Sequence, residues 1–446
     1  MDTTINSGWK FHLGDENEAF YKGFDDSGWE TVELPHDWSV SLPFDIRYSS
    51  GTGYLAGGTG WYRKHFVFGE DISQKHVYVT FGGVYKHSRV WINSNYLGTR
   101  PYGYSTFTYD ITDFIVPGEN VLAVRAEHND LADSRWFTGS GIYRDVTLAV
   151  KNPCHFMQHS IFAFTKTADE KKAVLQIQWE LTEKEAETQF HLLDKNGKEA
   201  AYTERLSSCG NTELILQQPD LWSPDSPSLY TLVCQAYKGE KETDREEYRI
   251  GIRTIHFDAD KGFFLNGIST KIKGLCIHHD AGCLGAAVPS EVWRRRLQKF
   301  KDCGANAIRT SHNPPDEKLL SLCDEMGFLV MDEAFDEWEG CKNKWWQGHN
   351  VYPPKHYGYA ENFPEWHECD LTQMVLRDRN HPSVIMWSIG NEIDYPNDPY
   401  VHPLFESMTG NNDANKPQRE RQYDPNKPNA QRLAKISAEL VKIVKQ

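Results

Sequence analysis

The chain reads KIKGLCI over Lys271–Ile277, SEVWRRRLQKFKDC over Ser290–Cys303 and ANAIRT over Ala305–Thr310. The first and third segments are short and apolar, as buried β-strands are. The segment between them repeats its apolar residues with helical spacing, after a serine that predicts a helix N-cap. A strand, a helix and a second strand in this order predict a parallel sheet covered by helices.

The alternation continues with a predicted helix at Asp316–Met326 and strands at Phe328–Asp332 (FLVMD) and Val384–Gly390 (VIMWSIG). Hydrophobic strands that end in polar residues are typical of a TIM barrel, whose active site lies at the C-terminal ends of its strands. Only four such strands are predicted before the last element, a helix over Asn429–Lys445. Residues 256–446 are therefore predicted to form the first half (strands 1–4) of an eight-stranded TIM barrel.

The first 255 residues contain many short strands separated by Gly, Pro, Asn and Asp. In residues 1–150, strands such as Trp61–Phe68 and Val121–Ala126 predict a jelly-roll β-sandwich. Residues 151–255 continue with strands such as Val174–Glu180 and predict an immunoglobulin-like β-sandwich. The predicted fold class is multidomain β plus α/β, with two β-sandwiches followed by a partial TIM barrel.

The composition argues against two classes of binding partner, nucleic acids and membranes. The formal net charge is −15, whereas proteins that bind nucleic acid or anionic membranes use clusters of Lys and Arg. No segment approaches the roughly 18 consecutive apolar residues of a membrane-spanning helix. We therefore expect no nucleic-acid partner and no membrane. The 14 Trp, 21 Tyr and 22 Phe suit stacking on sugar rings, and they equally suit a protein rich in β-strands.

The start of the chain predicts no signal peptide, because Met1–Lys10 has neither a basic start nor an apolar stretch. A cytoplasmic location is then the default expectation. A periplasmic or secreted location follows if a signal has been removed, so the compartment stays open.

Polar side chains follow each of the four predicted barrel strands at the point where the strand ends. They are His278, His279 and Asp280 after the first strand, Arg309, His312 and Asn313 after the second, Asp332, Glu333, Asp336, Glu337 and Glu339 after the third, and Asn391 and Glu392 after the fourth. In a barrel these ends converge on one opening. A partly buried carboxylic acid there, with its pKa raised by burial or by a neighbouring carboxylate, can protonate a glycosidic oxygen.

The segment Arg377–Ile393 (RDRNHPSVIMWSIGNEI) resembles the acid/base motif of glycoside hydrolase family 2, in which Asn-Glu ends the fourth barrel strand. Further motifs resemble the family in the same order along the chain: Leu34–Ser39 (LPHDWS), Gly57–Lys64 (GGTGWYRK), Ser134–Val146 (SRWFTGSGIYRDV), Gly274–Asp280 (GLCIHHD), Ile308–Pro315 (IRTSHNPP) and Val330–Trp338 (VMDEAFDEW). The likeness runs from about residue 8 to residue 446, and Leu284–Val288 (LGAAV) resembles the β-galactosidase branch in particular.

The resemblance implies a retaining exo-β-glycosidase that hydrolyses terminal β-D-galactosides, with residues 1–150 as a sugar-binding domain. Glu392 matches the acid/base, and Asn391 matches the residue that hydrogen-bonds the sugar 2-hydroxyl. The other implied sugar contacts are His278, His312, Trp338 and Arg135. For each of these residues a purely structural role stays open, and for Arg135 that role is a salt bridge.

The resemblance also implies a second carboxylate, because the family forms a covalent glycosyl-enzyme on a glutamate at the end of a later barrel strand. Glu406, Glu420 and Glu439 follow Glu392 in this sequence but lack the context of a strand end. We therefore expect the nucleophile to be missing from this chain.

One branch of the family binds magnesium through a glutamate and a histidine after the third strand. Glu337 and Glu339 stand at these positions here, and Trp338 between them is more similar to the metal-independent branch. Two carboxylates can hold a hard divalent ion, but we expect no required metal and no other cofactor.

Several alternatives stay open at this point. A β-glucuronidase or another exo-glycosidase of the family is one, and a non-catalytic carbohydrate-binding fragment is another. The expected partner is a β-galactoside or an oligosaccharide substrate. Self-association or a homo-oligomer is also expected, because half a barrel leaves two strand edges open.

Overall fold

The structure is a computed structural model that describes residues 2–342, 344–346, 349–351, 358–393 and 430–446. Two antiparallel β-sandwiches and a parallel α/β unit follow one another along the chain. This order confirms the fold class predicted from the sequence.

The first sandwich buries its core between two antiparallel sheets. Its strands are β1 (Asp2–Thr4), β2 (Trp9–Leu13), β3 (Glu30–Val32), β4 (Gly58–Phe68), β5 (His76–Phe81), β6 (Ser88–Ile92), β7 (Asn95–Arg100), β8 (Phe107–Asp110), β9 (Gly118–His128) and β10 (Val146–Lys151). The sheet orders are β1-β10-β5-β8 and β3-β2-β4-β9-β6-β7. In β5, Val77, Val79 and Phe81 are buried while the residues between them are partly exposed, so the two-residue period of a strand turns one face into the core.

The second sandwich is immunoglobulin-like and follows the same principle. Its strands are β11 (Phe162–Ala168), β12 (Lys172–Glu180), β13 (Glu187–Leu193), β14 (Glu199–Tyr202), β15 (Leu206–Ser207), β16 (Cys209–Gln217), β17 (Tyr230–Lys238) and β18 (Lys241–Ile250). One sheet has the order β11-β12-β16 and the other β14-β13-β17-β18, with β15 paired to β13. Leu175, Ile177 and Trp179 alternate with more exposed residues on β12 and pack into the core with Phe190.

The third unit begins with a small antiparallel sheet and continues as a parallel one. Its elements are β19 (Ile255–Asp258), β20 (Gly262–Leu265), β21 (Ile268–Ser269), β22 (Gly274–Ile277), α1 (Ser290–Asp302), β23 (Ala307–Thr310), α2 (Glu317–Met326), β24 (Leu329–Glu333), β25 (Lys344–Trp346), β26 (His349–Val351), α3 (Phe363–Asp378), β27 (Val384–Ser388) and α4 (Ala430–Val444). The order β22-β23-β24-β27 is parallel throughout, as in the first four strands of a TIM barrel.

The helix ends follow local chemistry. At α2, the Asp316 carboxylate accepts a hydrogen bond from the Lys318 backbone, and Gly327 ends the helix with a φ of 72°. The predicted N-cap of α1 was wrong: Ser290 is the first helical residue, and the Pro289 carbonyl accepts the bond from the Val292 backbone instead. None of the helices in the described ranges combines the length and apolar character needed to cross a membrane.

The two sandwiches contact opposite ends of the barrel strands. In the first sandwich, Tyr102 donates its hydroxyl to the Ala334 carbonyl at 2.8 Å, directly after β24. In the second, Arg253 donates through Nε to the Pro382 carbonyl at 2.8 Å, just before β27. The first sandwich therefore lies on the C-terminal ends of the strands, which we call the barrel mouth, and the second lies on their N-terminal ends.

Strands β22 and β27 each pair on one side only within the described part of the chain. On β22, Leu275 is 43% exposed, which is unusual for a barrel strand. We expect the 446-residue chain to self-associate, because open strand edges and exposed apolar surface template pairing with other chains. Sedimentation velocity over a range of concentrations measures this.

The matched variants are Leu275→Lys, which adds a charge at the open edge, and Val67→Lys, which changes a 74% exposed apolar side chain on β4. Leu275→Lys is expected to reduce the larger species, and Val67→Lys is not. A monomer at all concentrations in the unmodified chain contradicts the prediction.

Candidate active site

The C-terminal ends of the parallel strands bring polar side chains from all four strands to the barrel mouth. Arg309, on β23, donates to both Glu333, at the end of β24, and Asn391, after β27. His278 follows β22 and its ring lies 5.4 Å from that of His312. The sequence prediction that these strand ends converge is therefore met.

Glu333 is a fully buried anion at the centre of this arrangement. Its carboxylate accepts hydrogen bonds from Arg309 Nη2, His312 Nδ1 and Ser388 Oγ, each at 2.6 Å. Burial would raise the pKa of Glu333, but the hydrogen bonds from His312, Ser388 and Arg309 outweigh it and the pKa lies below its ordinary value. Glu333 therefore holds neighbouring side chains in place as an ion, and the sequence alone gave it no such role.

Asn391 is buried, and its side-chain amide is fixed from two sides. Its Oδ1 accepts from Arg309 Nη2 at 2.8 Å, and its Nδ2 donates to Asp336 Oδ1 at 2.9 Å. Lys342 donates to its backbone carbonyl at 2.6 Å. The amide nitrogen carries two hydrogens, so one donor is left for a further oxygen.

Asp336 joins the first sandwich to this site. Arg135 Nη2 donates to Asp336 Oδ1 at 2.5 Å, and Arg135 Nε donates to Oδ2 at 3.2 Å. Lys342 Nζ lies 3.0 Å from the same Oδ1. Burial opposes ionisation, but the hydrogen bond from Arg135 and the charges of Lys342 and Arg135 hold the pKa of Asp336 far below its ordinary value.

Glu392 lies beside this cluster with a mostly exposed side chain. Its exposed fraction is 71%, so the expectation of a partly buried acid is wrong for this structure. The reason is local. The Asn391 side chain points inward, and the backbone at Glu392 has a left-handed φ of 44°, so that the Glu392 side chain points outward. Arg135 Nη1 lies 3.7 Å from Glu392 Oε2. A non-glycine residue with this φ carries backbone strain, which is common at functional sites.

His278 and His312 face an indole ring from the first sandwich. The ring of Trp136 lies 5.1 Å from His278 and 5.4 Å from His312. Burial and the neighbouring His312 lower the pKa of His278, and its buried Nδ1 has no hydrogen-bond partner among the described residues. An unpaired buried nitrogen beside a half-buried indole suits contact with a sugar.

Trp136 was not predicted as a site residue, although it lies within the motif Ser134–Val146 that carried the resemblance.

Two other residues at the strand ends are held inside the protein. Trp338 is 5% exposed, donates Nε1 to the Ile389 carbonyl at 2.8 Å and stacks on Phe363. His279 is buried with Nε2 3.1 Å from the Ala286 carbonyl. Trp338 therefore presents little surface to a ligand in this structure, and its role in binding sugar stays a prediction.

The two carboxylates considered for a divalent ion are paired with basic side chains. Lys344 Nζ lies 2.5 Å from Glu337 Oε2, and Arg432 Nε donates to Glu339 at 2.9 Å. Burial raises the pKa of Glu337, which disfavours its charged form. In the described ranges, no group of three or more His, Cys, Asp or Glu side chains is arranged to hold a metal ion. Glu337 and Glu339 therefore do not fit a shared cation in this arrangement.

Among the glutamates that follow Glu392, the structure describes Glu439, which does not lie at the mouth. Glu439 lies on α4, where its Oε1 is 3.6 Å from His367 Nε2 of α3, in the outer helical layer. Glu406 and Glu420 lie outside the described residues. The buried carboxylates Glu333 and Glu337 and the partly buried Asp336 each have a basic partner.

Comparison with known proteins gives the same architecture. The chain is 46% identical over 408 residues to beta-galactosidase BoGH2A of Bacteroides ovatus, an alignment that covers 87% of this chain and 46% of that protein. It is 40% identical over 400 residues to a putative beta-glucuronidase of Formosa agariphila, covering 88% of this chain and 37% of that protein. The chain thus spans less than half of the length of these two curated relatives.

A solved structure of a glycosyl hydrolase family 2 member from Bacteroides cellulosilyticus superposes with a TM-score of 0.86 at 37% identity, covering 100% of this chain and 54% of that one. Family models also match in succession. They are the sugar binding domain of glycosyl hydrolases family 2 over residues 3–153, the model named glycosyl hydrolases family 2 over 158–253, and the TIM barrel domain of that family over 258–443. Because these models cover the chain almost from end to end, it belongs to glycosyl hydrolases family 2.

Proposed function

We propose that this chain provides the sugar-binding face and the acid/base of a retaining β-glycosidase, with Glu392 as the acid/base. The observation that carries the proposal is the Asn391–Glu392 pair after β27, whose amide is held by Arg309 and Asp336 while the Glu392 carboxyl faces outward beside Arg135. Asn391 retains one N–H for a sugar hydroxyl, and Glu392 is within reach of a leaving oxygen that enters the mouth.

The proposed reaction has two steps. In the first, protonated Glu392 gives its proton to the leaving oxygen while a second carboxylate, about 5–5.5 Å from it, attacks the anomeric carbon. In the second, ionised Glu392 takes a proton from water, which releases the sugar with its original configuration. A bound sugar would cover the exposed carboxyl and so supply the desolvation that favours its protonated form.

Trp136, His278 and His312 are proposed to contact the sugar in this complex. The indole supplies an apolar face, and the two imidazoles supply polar atoms. The proposed reaction uses no metal and no other cofactor.

The proposed substrate is a terminal β-D-galactoside. The 46% identity to a protein named beta-galactosidase and the motif Leu284–Val288 (LGAAV) both support this choice. β-D-Glucuronides are the second candidate, because the 40% identical relative is named a putative beta-glucuronidase.

The test compares kcat/KM for an aryl β-D-galactoside and the matching β-D-glucuronide, using a protein that contains this chain. The galactoside is expected to be the better substrate, and proton NMR is expected to show the β-anomer as the first sugar product. A higher kcat/KM for the glucuronide would make β-D-glucuronides, not β-D-galactosides, the proposed substrate. Release from neither, or an α-anomer as first product, contradicts a retaining β-glycosidase.

The 446-residue chain by itself is expected to show no appreciable glycosidase turnover. General acid catalysis alone contributes about 10²–10⁴-fold, whereas glycosidases need the carboxylate pair as well. The measurement is an assay of the purified chain on an aryl β-galactoside with an activated leaving group. Robust turnover that follows the protein through purification contradicts this prediction.

If the chain instead belongs to a non-catalytic carbohydrate-binding protein, calorimetry is expected to show galactose binding, and no protein that contains the chain is expected to show turnover.

A further inference from the structure

We propose that Asp336 is a positioning residue for glycosyl transfer. Its carboxylate links Arg135 of the first sandwich to Asn391 and so orients the Asn391 N–H that donates to the sugar. This inference rests on the proposed function and adds a residue to it. Asp336 lies after β24, three positions beyond Glu333, and touches neither the sugar nor the reacting atoms in the proposed reaction.

The first step of the argument is geometric. Asp336 Oδ1 accepts from Asn391 Nδ2 at 2.9 Å and from Arg135 Nη2 at 2.5 Å, and Lys342 Nζ lies 3.0 Å from the same oxygen. One carboxylate oxygen therefore collects donors from the first sandwich, from the segment after β24 and from the segment after β27. Without it, a single side-chain bond, from Arg309, would orient the Asn391 amide.

The second step concerns charge. Asp336 lies between two cations, Arg135 and Lys342, and Arg135 also approaches Glu392 at 3.7 Å. Removing the Asp336 charge would take away the carboxylate that Arg135 and Lys342 share, while the approach of Arg135 to Glu392 would remain.

The third step separates this role from an ordinary salt bridge between domains. The first sandwich and the barrel also share the ion pair Asp145–Lys318, at 2.5 Å and partly exposed. That pair makes no contact with Asn391 or Glu392 that the structure records. If Asp336 were only structural, removing Asp336 or Asp145 would have the same kind of effect on activity. If Asp336 positions Asn391, only the removal of Asp336 is expected to weaken what the sugar 2-hydroxyl contributes to the reaction.

The experiment compares an aryl β-galactoside with its 2-deoxy analogue in an active protein that contains this chain. Asp336→Asn is expected to lower kcat on the parent substrate by about 10²-fold, since a small misplacement of a positioning group costs that much. The 2-deoxy substrate lacks the hydroxyl that Asn391 meets, so its kcat is expected to fall by much less. In the Asn391→Ala background, Asp336→Asn is expected to add little, because coupled residues are not additive.

Asp145→Asn is the control variant and is expected to leave the kcat of both substrates unchanged. Arg135→Lys keeps the charge but loses the bidentate contact with Asp336. It replaces Asp336→Asn in the test if that variant does not fold, and the same selective loss of kcat on the parent substrate is expected. Equal losses on both substrates, or no loss, overturn the inference and leave the proposed function standing. An inactive unmodified protein overturns the proposed function and this inference with it.

Discussion

Glu392→Ala is expected to slow hydrolysis by about 10²–10⁴-fold in an active protein that contains this chain, because both steps lose their proton transfer. A good leaving group departs without a proton, so the first step should suffer mainly for poor leaving groups such as lactose. The second step should be slow for every substrate, and the glycosyl-enzyme should accumulate.

Azide provides the diagnostic measurement, since this small anion attacks without a general base. It is expected to restore turnover of Glu392→Ala on an activated aryl galactoside and to give a β-galactosyl azide, because two inversions preserve configuration. No rescue would mean that Glu392 only holds its neighbours in place. An α-configured azide would instead assign Glu392 as the nucleophile.

Glu333→Gln is expected to lower the free energy of unfolding by about 1–3 kcal/mol, the cost of leaving buried hydrogen-bonding groups without their charged partner. The Glu333 carboxylate is 0% exposed and holds Arg309 and His312, so its replacement leaves a guanidinium without its counter-ion. Urea unfolding followed by tryptophan fluorescence measures the difference. The control is Glu339→Gln, whose partner Arg432 is 48% exposed, with an expected loss of about 1 kcal/mol or less.

The stability difference should also depend on pH in a defined direction. The folded-state pKa of Glu333 is below its ordinary value of 4.5, so its contribution is fully present above that value. The contribution is lost as the pH falls through the lowered folded-state pKa. The gap between the unmodified chain and Glu333→Gln is therefore expected to narrow in acid. A gap that stays constant or widens there would contradict the assignment of Glu333 as a buried anion.

The sequence predicted the layers and the strand ends because both follow from short-range patterns. Alternating apolar residues identified strands such as β12, and polar residues after apolar strands identified the barrel mouth. The pairings within the mouth depend on contacts between distant segments. Arg135 and Asp336 are 201 positions apart, and no periodicity in the sequence indicates that they meet.

Two site residues show the limit of motif reasoning in physical terms. Trp338 follows a barrel strand, yet its indole packs on Phe363 of α3, a helix that the sequence analysis did not predict. Trp136 reaches the mouth from the other domain because the first sandwich lies on the strand ends. Domain packing decides which of the two indoles faces the histidines, and the motifs alone do not contain that information.

The placement of the first sandwich on the barrel mouth has a consequence for synthesis on the ribosome. At about 5–20 residues per second, the 201 positions from Arg135 to Asp336 take about 10–40 s to translate. During that interval the first sandwich can fold, but the barrel residues that Arg135 and Tyr102 contact have not yet all been synthesised. A translational pause within this interval would lengthen the exposure of the unmet surface.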